Sequence, residues 1–175
     1  MVFDAGCVAG QKNLRFTVIN LDVEDRDESP FAVRHGNACT LSEYADDSFD
    51  VVHSNSVIEH VGHWPQMMQM AREVRRLAPA YFVQTPNFWF PIEPHYQAAL
   101  FHYLPEIVRA KLLLKKRYGF RGPCPTFAEA MCCVQSINLL SESGLRDLFP
   151  DAQIDRERCC GLTKSLTAWR FSGRK

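Results

Sequence analysis

Between residues 49 and 85 the spacing of apolar side chains switches from that of a strand to that of a helix and back again. Phe49-Asp50-Val51-Val52-His53-Ser54 is an apolar run held between the turn formers Asp46-Asp47-Ser48 and Ser54-Asn55-Ser56. From Trp64 to Leu77, Met67, Met68, Met70, Ala71, Val74 and Leu77 fall at helical spacing, with Arg72, Glu73, Arg75 and Arg76 on the opposite face. Pro65 suits the first turn of that helix, and Pro79 marks its end. Ala80 to Thr85 is then a strand, stopped by Pro86-Asn87.

The same alternation extends in both directions. Residues 15 to 22 form a β-branched run ending in Asp22, Val23 to Pro30 reads as a polar loop, and Phe31 to His35 is a second short strand stopped by Gly36-Asn37. Residues 38 to 48 read as a polar connection. Downstream, helices are expected from about Pro105 to Tyr118, over 126 to 135 and from Ser141 to Leu148, with closing strands at Ala152 to Arg156 and Ser165 to Phe171. Strands alternating with helices predict an α/β, doubly wound, mostly parallel sheet with an antiparallel C-terminal strand.

The chain has 175 residues, with 20 basic side chains against 20 acidic ones, and is 46% hydrophobic and 23% charged. This balance fits one globular domain and excludes a disordered chain or a highly basic nucleic-acid binder. The longest uncharged stretch, Leu77 to Ile92, is short for a bilayer span and is broken by three prolines. The seven cysteines contain no CxxC, and the adjacent pairs Cys132-Cys133 and Cys159-Cys160 do not suit one tetrahedral metal site. Reduced thiols in a cytoplasmic protein without a transmembrane segment are the expectation.

In an open α/β sheet, ligands lie beyond the carboxyl ends of the strands. Three strand ends carry chemistry here. The first closes at Asp22, whose carboxylate suits the vicinal hydroxyls of a ribose. The second closes in Gly36-Asn37-Ala38, a tight turn bearing an amide that suits a purine edge. The third closes in His53-Ser54-Asn55-Ser56. An acidic residue after a strand is by itself as good a turn or cap residue as a ligand contact, so it is the order of the three that carries weight.

That order, continued through Val57-Ile58-Glu59-His60-Val61 and Arg72-Glu73-Val74-Arg75-Arg76-Leu77-Ala78-Pro79, resembles the class I S-adenosylmethionine-dependent methyltransferases, in the broad group of the ubiquinone and sterol type enzymes. The resemblance runs over about residues 15 to 92, and the tail from Phe149 also resembles the closing hairpin of some of these enzymes. It implies a Rossmann-like fold with S-adenosylmethionine as cofactor, ribose binding at Asp22, adenine contact at Asn37 and Ala38, and a methionine pocket lined by Ser54 and Asn55. Asn37 departs from the family's usual Asp, although an amide oxygen also accepts from an adenine amino group.

A larger departure concerns the glycine-rich loop that follows the family's first strand. Val2 to Gly10 imitates that loop with Val8 in place of its middle glycine, yet only Gln11 to Leu14 separate Gly10 from the next strand. Four residues make about 6 Å of helix, which cannot cross a sheet layer and return. The expectation is therefore a truncated N-terminus: the chain begins within or just before the end of the first helix, and the loop and central first strand are missing. A substitute strand from residues 1 to 7, a homo-oligomer covering the gap or a degenerate homologue would each answer the unpaired edges.

Methyl transfer from a sulfonium is an in-line displacement that needs positioning, and a base only when the acceptor loses a proton. His60 is the candidate base, with Glu59 placed to orient it. Asn87, Trp89, His95 and Tyr96 lie in an aromatic, proline-stiffened loop at the carboxyl end of the fourth strand, and are the candidate substrate-binding residues. The expected organisation is a single domain over 1–175 with 88–135 as a substrate-capping insertion, acting on a small-molecule or lipid-like acceptor. His53, His60, His63 and His95 match no ligand spacing, so no metal is expected, and no nucleic-acid-reading module is present. The face of helix 105–118 carrying Arg109, Lys111, Lys115, Lys116 and Arg117 reads as solvated, with contact to anionic lipid as the other reading. The main rival function is a non-catalytic homologue that keeps the fold as a binding or assembly module. A dinucleotide-binding Rossmann protein lacks support without its glycine fingerprint.

Overall fold

A computed structural model describes residues 14–171. The Val2 to Gly10 loop, Cys7 and the substitute strand considered for residues 1 to 7 lie outside the described residues. Among the described residues, seven strands form two sheets. The first contains β1 (Phe16–Asn20), β2 (Arg26–Glu28) and β3 (Phe31–His35) in the order β1-β3-β2. The second contains β4 (Val51–Asn55), β5 (Ala80–Pro86), β6 (Gln153–Cys159) and β7 (Leu162–Arg170) in the order β4-β5-β7-β6. The pairs β1/β3 and β4/β5 are parallel, and β2/β3, β5/β7 and β6/β7 are antiparallel. Among the described residues no ladder joins the two sheets. The architecture is mixed α/β and Rossmann-like, with an antiparallel hairpin closing the chain.

The sequence reads β2 as part of a loop, and the structure corrects this. All three of its residues are exposed, so it has no apolar face to register as a strand. It is held instead by pairing with β3 and by Arg34, which ion-pairs with Asp27 at 2.6 Å across the hairpin.

Helix α1 (Trp64–Leu77) connects β4 to β5 and buries Met67, Met70, Ala71, Val74 and Leu77. The first four meet Tyr81 and Val83 of β5, Leu166 and Ala168 of β7, and Leu145 and Leu148 of a short helix, α4 (Glu142–Leu148). Each fully buried large apolar side chain contributes about 1.5–3 kcal/mol, so this layer is the main source of stability. Ala78, before Pro79, takes an extended conformation and ends α1.

A second apolar cluster lies between α2 (Glu106–Lys115) and α3 (Phe127–Gln135), where Ala110 and Leu113 meet Ala130, Val134, Ile137, Tyr96 and Phe101. Helix α2 stops at Lys115, short of the expected Tyr118. Lys111, Lys115, Lys116 and Arg117 are exposed as expected, but Arg109 turns half-buried toward this second cluster, a departure from the solvated face read in the sequence. Thr126 caps α3 by accepting from the Glu129 amide at 3.2 Å and donating to its carboxylate at 3.0 Å. No helix among the described residues is long and apolar enough to cross a membrane.

The end of β7 is fastened to α1 by one side chain. Arg170 donates to the carbonyls of Pro79 at 2.9 Å and Ala78 at 2.8 Å, pairs with Asp151, and lies over the Tyr81 ring at 4.8 Å. It therefore serves two carbonyls just past the end of α1 together with that of Arg75 in its last turn, at 3.4 Å. Arg170→Ala leaves those carbonyls without this donor, while Asp151 keeps the Tyr81 hydroxyl and Arg75. A loss of about 1–3 kcal/mol of unfolding free energy in urea is expected, with Arg170→Lys recovering part of it.

Candidate functional site

Three segments converge at the carboxyl ends of β4 and β5. The first is the 3₁₀ turn Ile58–His60 that follows β4. The second is the loop after β5, running from Asn87 to Tyr96. The third is the stretch Ser136 to Asn138 that follows α3. Asn138 joins the first and third, because its backbone N–H donates to the Glu59 carbonyl at 2.8 Å and its Nδ2 donates to the Gly62 carbonyl at 3.2 Å.

At the meeting point the His60 Nε2 lies 3.0 Å from the His95 Nε2, and the His60 Nδ1 lies 3.1 Å from the Ser136 carbonyl oxygen. On its far side His95 Nδ1 contacts Oε1 of Glu93. A carbonyl only accepts, so His60 Nδ1 carries a hydrogen and the neutral His60 ring presents a lone pair at Nε2. His95 must then donate across the 3.0 Å gap. Its Nδ1 faces a carboxylate, which also calls for a hydrogen there. The cluster thus holds one proton between two imidazoles, backed by a carboxylate.

Glu93 is able to play that part because its side chain is fully buried and fully partnered. Its Oε2 accepts from the backbone N–H of His95 at 2.9 Å and of Tyr96 at 2.8 Å. Burial alone pushes its carboxyl up, but the His95 ring and these amides outweigh burial and hold it below the usual carboxylate value. His60 is pushed down, chiefly by loss of solvation and further by the neighbouring His95, against the opposing Ser136 contact. Gly119 permits the close approach of the next turn: it has φ +51°, and a Cβ there would fall 2.5 Å from the His95 carbonyl oxygen.

The sequence places Glu59 beside His60 as its orienting group, and the structure differs. The Glu59 carboxylate turns inward, where Oε2 accepts from the Thr85 hydroxyl at 3.0 Å and Oε1 has no partner among the described residues. The signal that was missed is Glu93-Pro94-His95, a carboxylate two residues before an imidazole, which the sequence offers only as part of an aromatic loop.

The other candidate residues divide into exposed and structural positions. Asp22 is exposed two residues beyond β1, and its carboxylate makes no hydrogen bond or ion pair among the described residues. Asn37 is exposed two residues beyond β3, with Oδ1 accepting from the Cys39 amide at 2.9 Å, and Ala38 packs against the main core. Ser54 is 5% exposed with its Oγ unpartnered among the described residues, and Asn55 beside it is exposed. Asn87 donates to the Thr163 carbonyl at 2.9 Å and so ties the loop to the β6–β7 hairpin. Trp89 is 66% exposed against Phe88 and Tyr103. Tyr96 is buried, its hydroxyl 3.4 Å from the Cys133 carbonyl, and its phenol is pushed up to about 12 by burial. His60, His95 and Tyr96 are thus brought together around Glu93, while the Asp22 and Asn37 tips belong to the other sheet.

Residues 4–79 match the family model of a methyltransferase domain. No curated protein matches the sequence. A Methanosarcina mazei S-adenosylmethionine-dependent methyltransferase is similar in structure, at 13% identity and a TM-score of 0.50, over 87% of this chain and 79% of that one. A structure of the Haloferax volcanii Trm112 methyltransferase activator with a proposed methyltransferase is similar at 12% identity and a TM-score of 0.52, over 94% and 74%. Against an O-methyltransferase family protein from Burkholderia thailandensis, with 13% identity and a TM-score of 0.48, the match spans 83% of this chain but only 37% of that one.

Burial pushes the Glu59 carboxyl up despite the Thr85 hydrogen bond. A raised acid stabilises the fold only below its unfolded value, and that contribution is lost as pH rises through the folded value. Glu59→Gln keeps an oxygen for Thr85 and removes the buried charge. Its melting temperature relative to the unsubstituted protein is expected to climb between pH 4.5 and pH 8, and a difference that stays flat across that range counts against the unpartnered carboxyl.

Proposed function

On the premise that residues 4–79 carry a class I S-adenosylmethionine-dependent methyltransferase domain, with S-adenosylmethionine as its cofactor, we propose that this chain methylates a small-molecule or lipid-like acceptor held against the loop from Asn87 to Tyr96. The observation that carries this reading is the His60–His95 contact at 3.0 Å with Glu93 behind it, at the carboxyl ends of adjacent parallel strands. In this reading residues 88–135 form a cap over the acceptor.

The described residues fit the cofactor. Ser54 brings a buried hydroxyl in need of a partner to the tip of β4, and Asp22 brings an uncommitted carboxylate to the tip of β1. Asp22 would hold the ribose hydroxyls, Asn37 and Ala38 the adenine, and Ser54 and Asn55 the methionine end. S-adenosylmethionine supplies a methyl group on a sulfonium, whose bonding pair stays on sulfur when the methyl leaves. His60 and His95 manage the proton. Once the proton they share has gone to solvent, the exposed Nε2 lone pair takes the hydrogen of an acceptor hydroxyl or amine, and Glu93 stabilises the resulting imidazolium. Trp89, with two-thirds of its surface exposed, offers an apolar face to the acceptor's body.

Calorimetric titration with S-adenosylmethionine tests the cofactor half. Asp22→Ala is expected to weaken binding about 10- to 100-fold, the range for a lost hydrogen bond to a charged group. No heat from the unsubstituted chain at millimolar ligand favours the non-catalytic homologue instead. Release of S-adenosylhomocysteine over a panel of hydroxylated and lipid-like acceptors tests the other half. There His60→Asn is expected to lower turnover by about 10²–10⁴-fold with cofactor affinity unchanged.

A further inference from the structure

Beside Glu93 lies a cleft of about 180 Å³ with apolar walls from Phe88, Tyr96, Ile137 and Leu139 and a polar one from Asn138, whose Nδ2 is already committed to backbone carbonyls. That is below the 300–1,000 Å³ or so of a site for a whole drug-sized ligand, so it suits a single functional group. Arg109 and His102 also line it.

Both are short of partners. The Arg109 Nε is buried without a hydrogen bond, and among the described residues its guanidinium makes no ion pair. Glu93, the one carboxylate in the wall, is already saturated by the His95 ring and two backbone amides. His102 is 7% exposed. One ring nitrogen, Nε2, donates to the Phe88 carbonyl at 2.9 Å, and the other, Nδ1, is buried without a partner. A half-buried cation with no counter-ion is costly, and so is a buried ring nitrogen left unbonded. A second guanidinium, Arg121, has its Nε buried without a partner in the turn that rests on the His95 backbone.

We propose that this cleft receives a carboxyl group of the methyl acceptor, with Arg109 as its counter-ion and with one proton, taken up from solvent on binding, held between His102 Nδ1 and its second oxygen, so that the substrates are small organic acids. The inference rests on the acceptor lying at the loop from Asn87 to Tyr96, and it narrows the acceptor's class. A planar carboxyl group offers two oxygens to the two unsatisfied groups, whereas a phosphate would leave further oxygens facing Phe88, Ile137 and Leu139. Because Glu93 forms part of the cleft wall and also holds His95, the cleft and the His60–His95 pair share one buried side chain.

Benzoate, benzamide and phenyl phosphate, each titrated calorimetrically into the full chain, provide the test, with S-adenosylmethionine titrated in parallel. Benzoate is expected to bind at least about tenfold more tightly than benzamide or phenyl phosphate. Arg109→Gln should weaken benzoate binding about tenfold or more, and Arg109→Lys less. Lys111→Gln, which removes the same charge from an exposed position on the same helix, should leave it within about twofold. Melting curves of each variant establish that it is folded, and cofactor affinity should not change with Arg109→Gln. Equal binding of benzoate and benzamide, tighter binding of phenyl phosphate, no binding of benzoate, or indifference to Arg109→Gln overturns the proposal. Cofactor binding without benzoate binding sinks the cleft assignment alone. Benzoate binding through Arg109 in a chain that never binds S-adenosylmethionine sinks the methyl-transfer reading and leaves the acid site standing.

Discussion

A carboxylate with no exposed surface has to be satisfied entirely by protein, and the site is organised around how Glu93 meets that demand. It takes the His95 ring and the amides of His95 and Tyr96, and in doing so fixes a loop that has neither helix nor strand to stiffen it. The direction of the His95 ring follows from this, and so does the placement of its Nε2 against His60. Tyr96 is drawn into the second apolar cluster by the same contacts, which couples the loop to α2 and α3. One buried charge thereby connects a proton-handling pair, a loop conformation and the seating of a helical layer.

The two halves of the site are built on different principles. On the acceptor side, His60, His95 and Glu93 are cross-linked by hydrogen bonds within one connected network, so their geometry is set before any ligand arrives. On the cofactor side the candidate residues are strand tips, and those of β1 and β3 belong to a sheet that shares no ladder with β4 among the described residues. Cofactor affinity therefore depends on how the β1–β3–β2 sheet is held against the rest. Part of that hold is visible in Glu73, which accepts from the Leu41 amide at 3.0 Å, and in Arg76, which donates to the carbonyls of Leu41 at 3.0 Å and Tyr44 at 2.7 Å. These side chains bind the segment after β3 to the back of α1.

The sequence carried the strands and helices whose apolar residues keep one period. β3, α1 and β5 were legible because Val33, the Met67-to-Leu77 stripe and Tyr81-Val83 bury one consistent face, and because prolines punctuate α1 and β5. β2 was not, since a three-residue polar edge strand is defined only by its partner. At the site, His60 and His95 were legible as residues but not as a pair. They stand 35 positions apart, and only the fold brings their rings together. Glu59 was assigned by adjacency, but a neighbour in a 3₁₀ turn points about a third of a turn away, and Glu59 spends its carboxylate on Thr85. Arg109 looked like one more cation on a basic helix, and its inward turn depends on the cleft formed by residues far along the chain.

The proton count within the histidine pair constrains the chemistry further. With Ser136 accepting from one end and Glu93 from the other, two neutral rings would set lone pair against lone pair at 3.0 Å, so the resting arrangement is one that already contains a proton. A pair in that state donates and does not accept. It becomes a base by giving the proton up, and the burial that pushes His60 down favours its neutral form. Glu93 works from the other end, where its carboxylate, held ionised, accepts from His95 Nδ1. The strength of the pair as a base is thus a balance between the partial desolvation of one ring and the buried charge behind the other. Substitutions at Glu93 would shift that balance without touching an acceptor, which makes Glu93 a positioning residue whose effect on the reaction passes through His95.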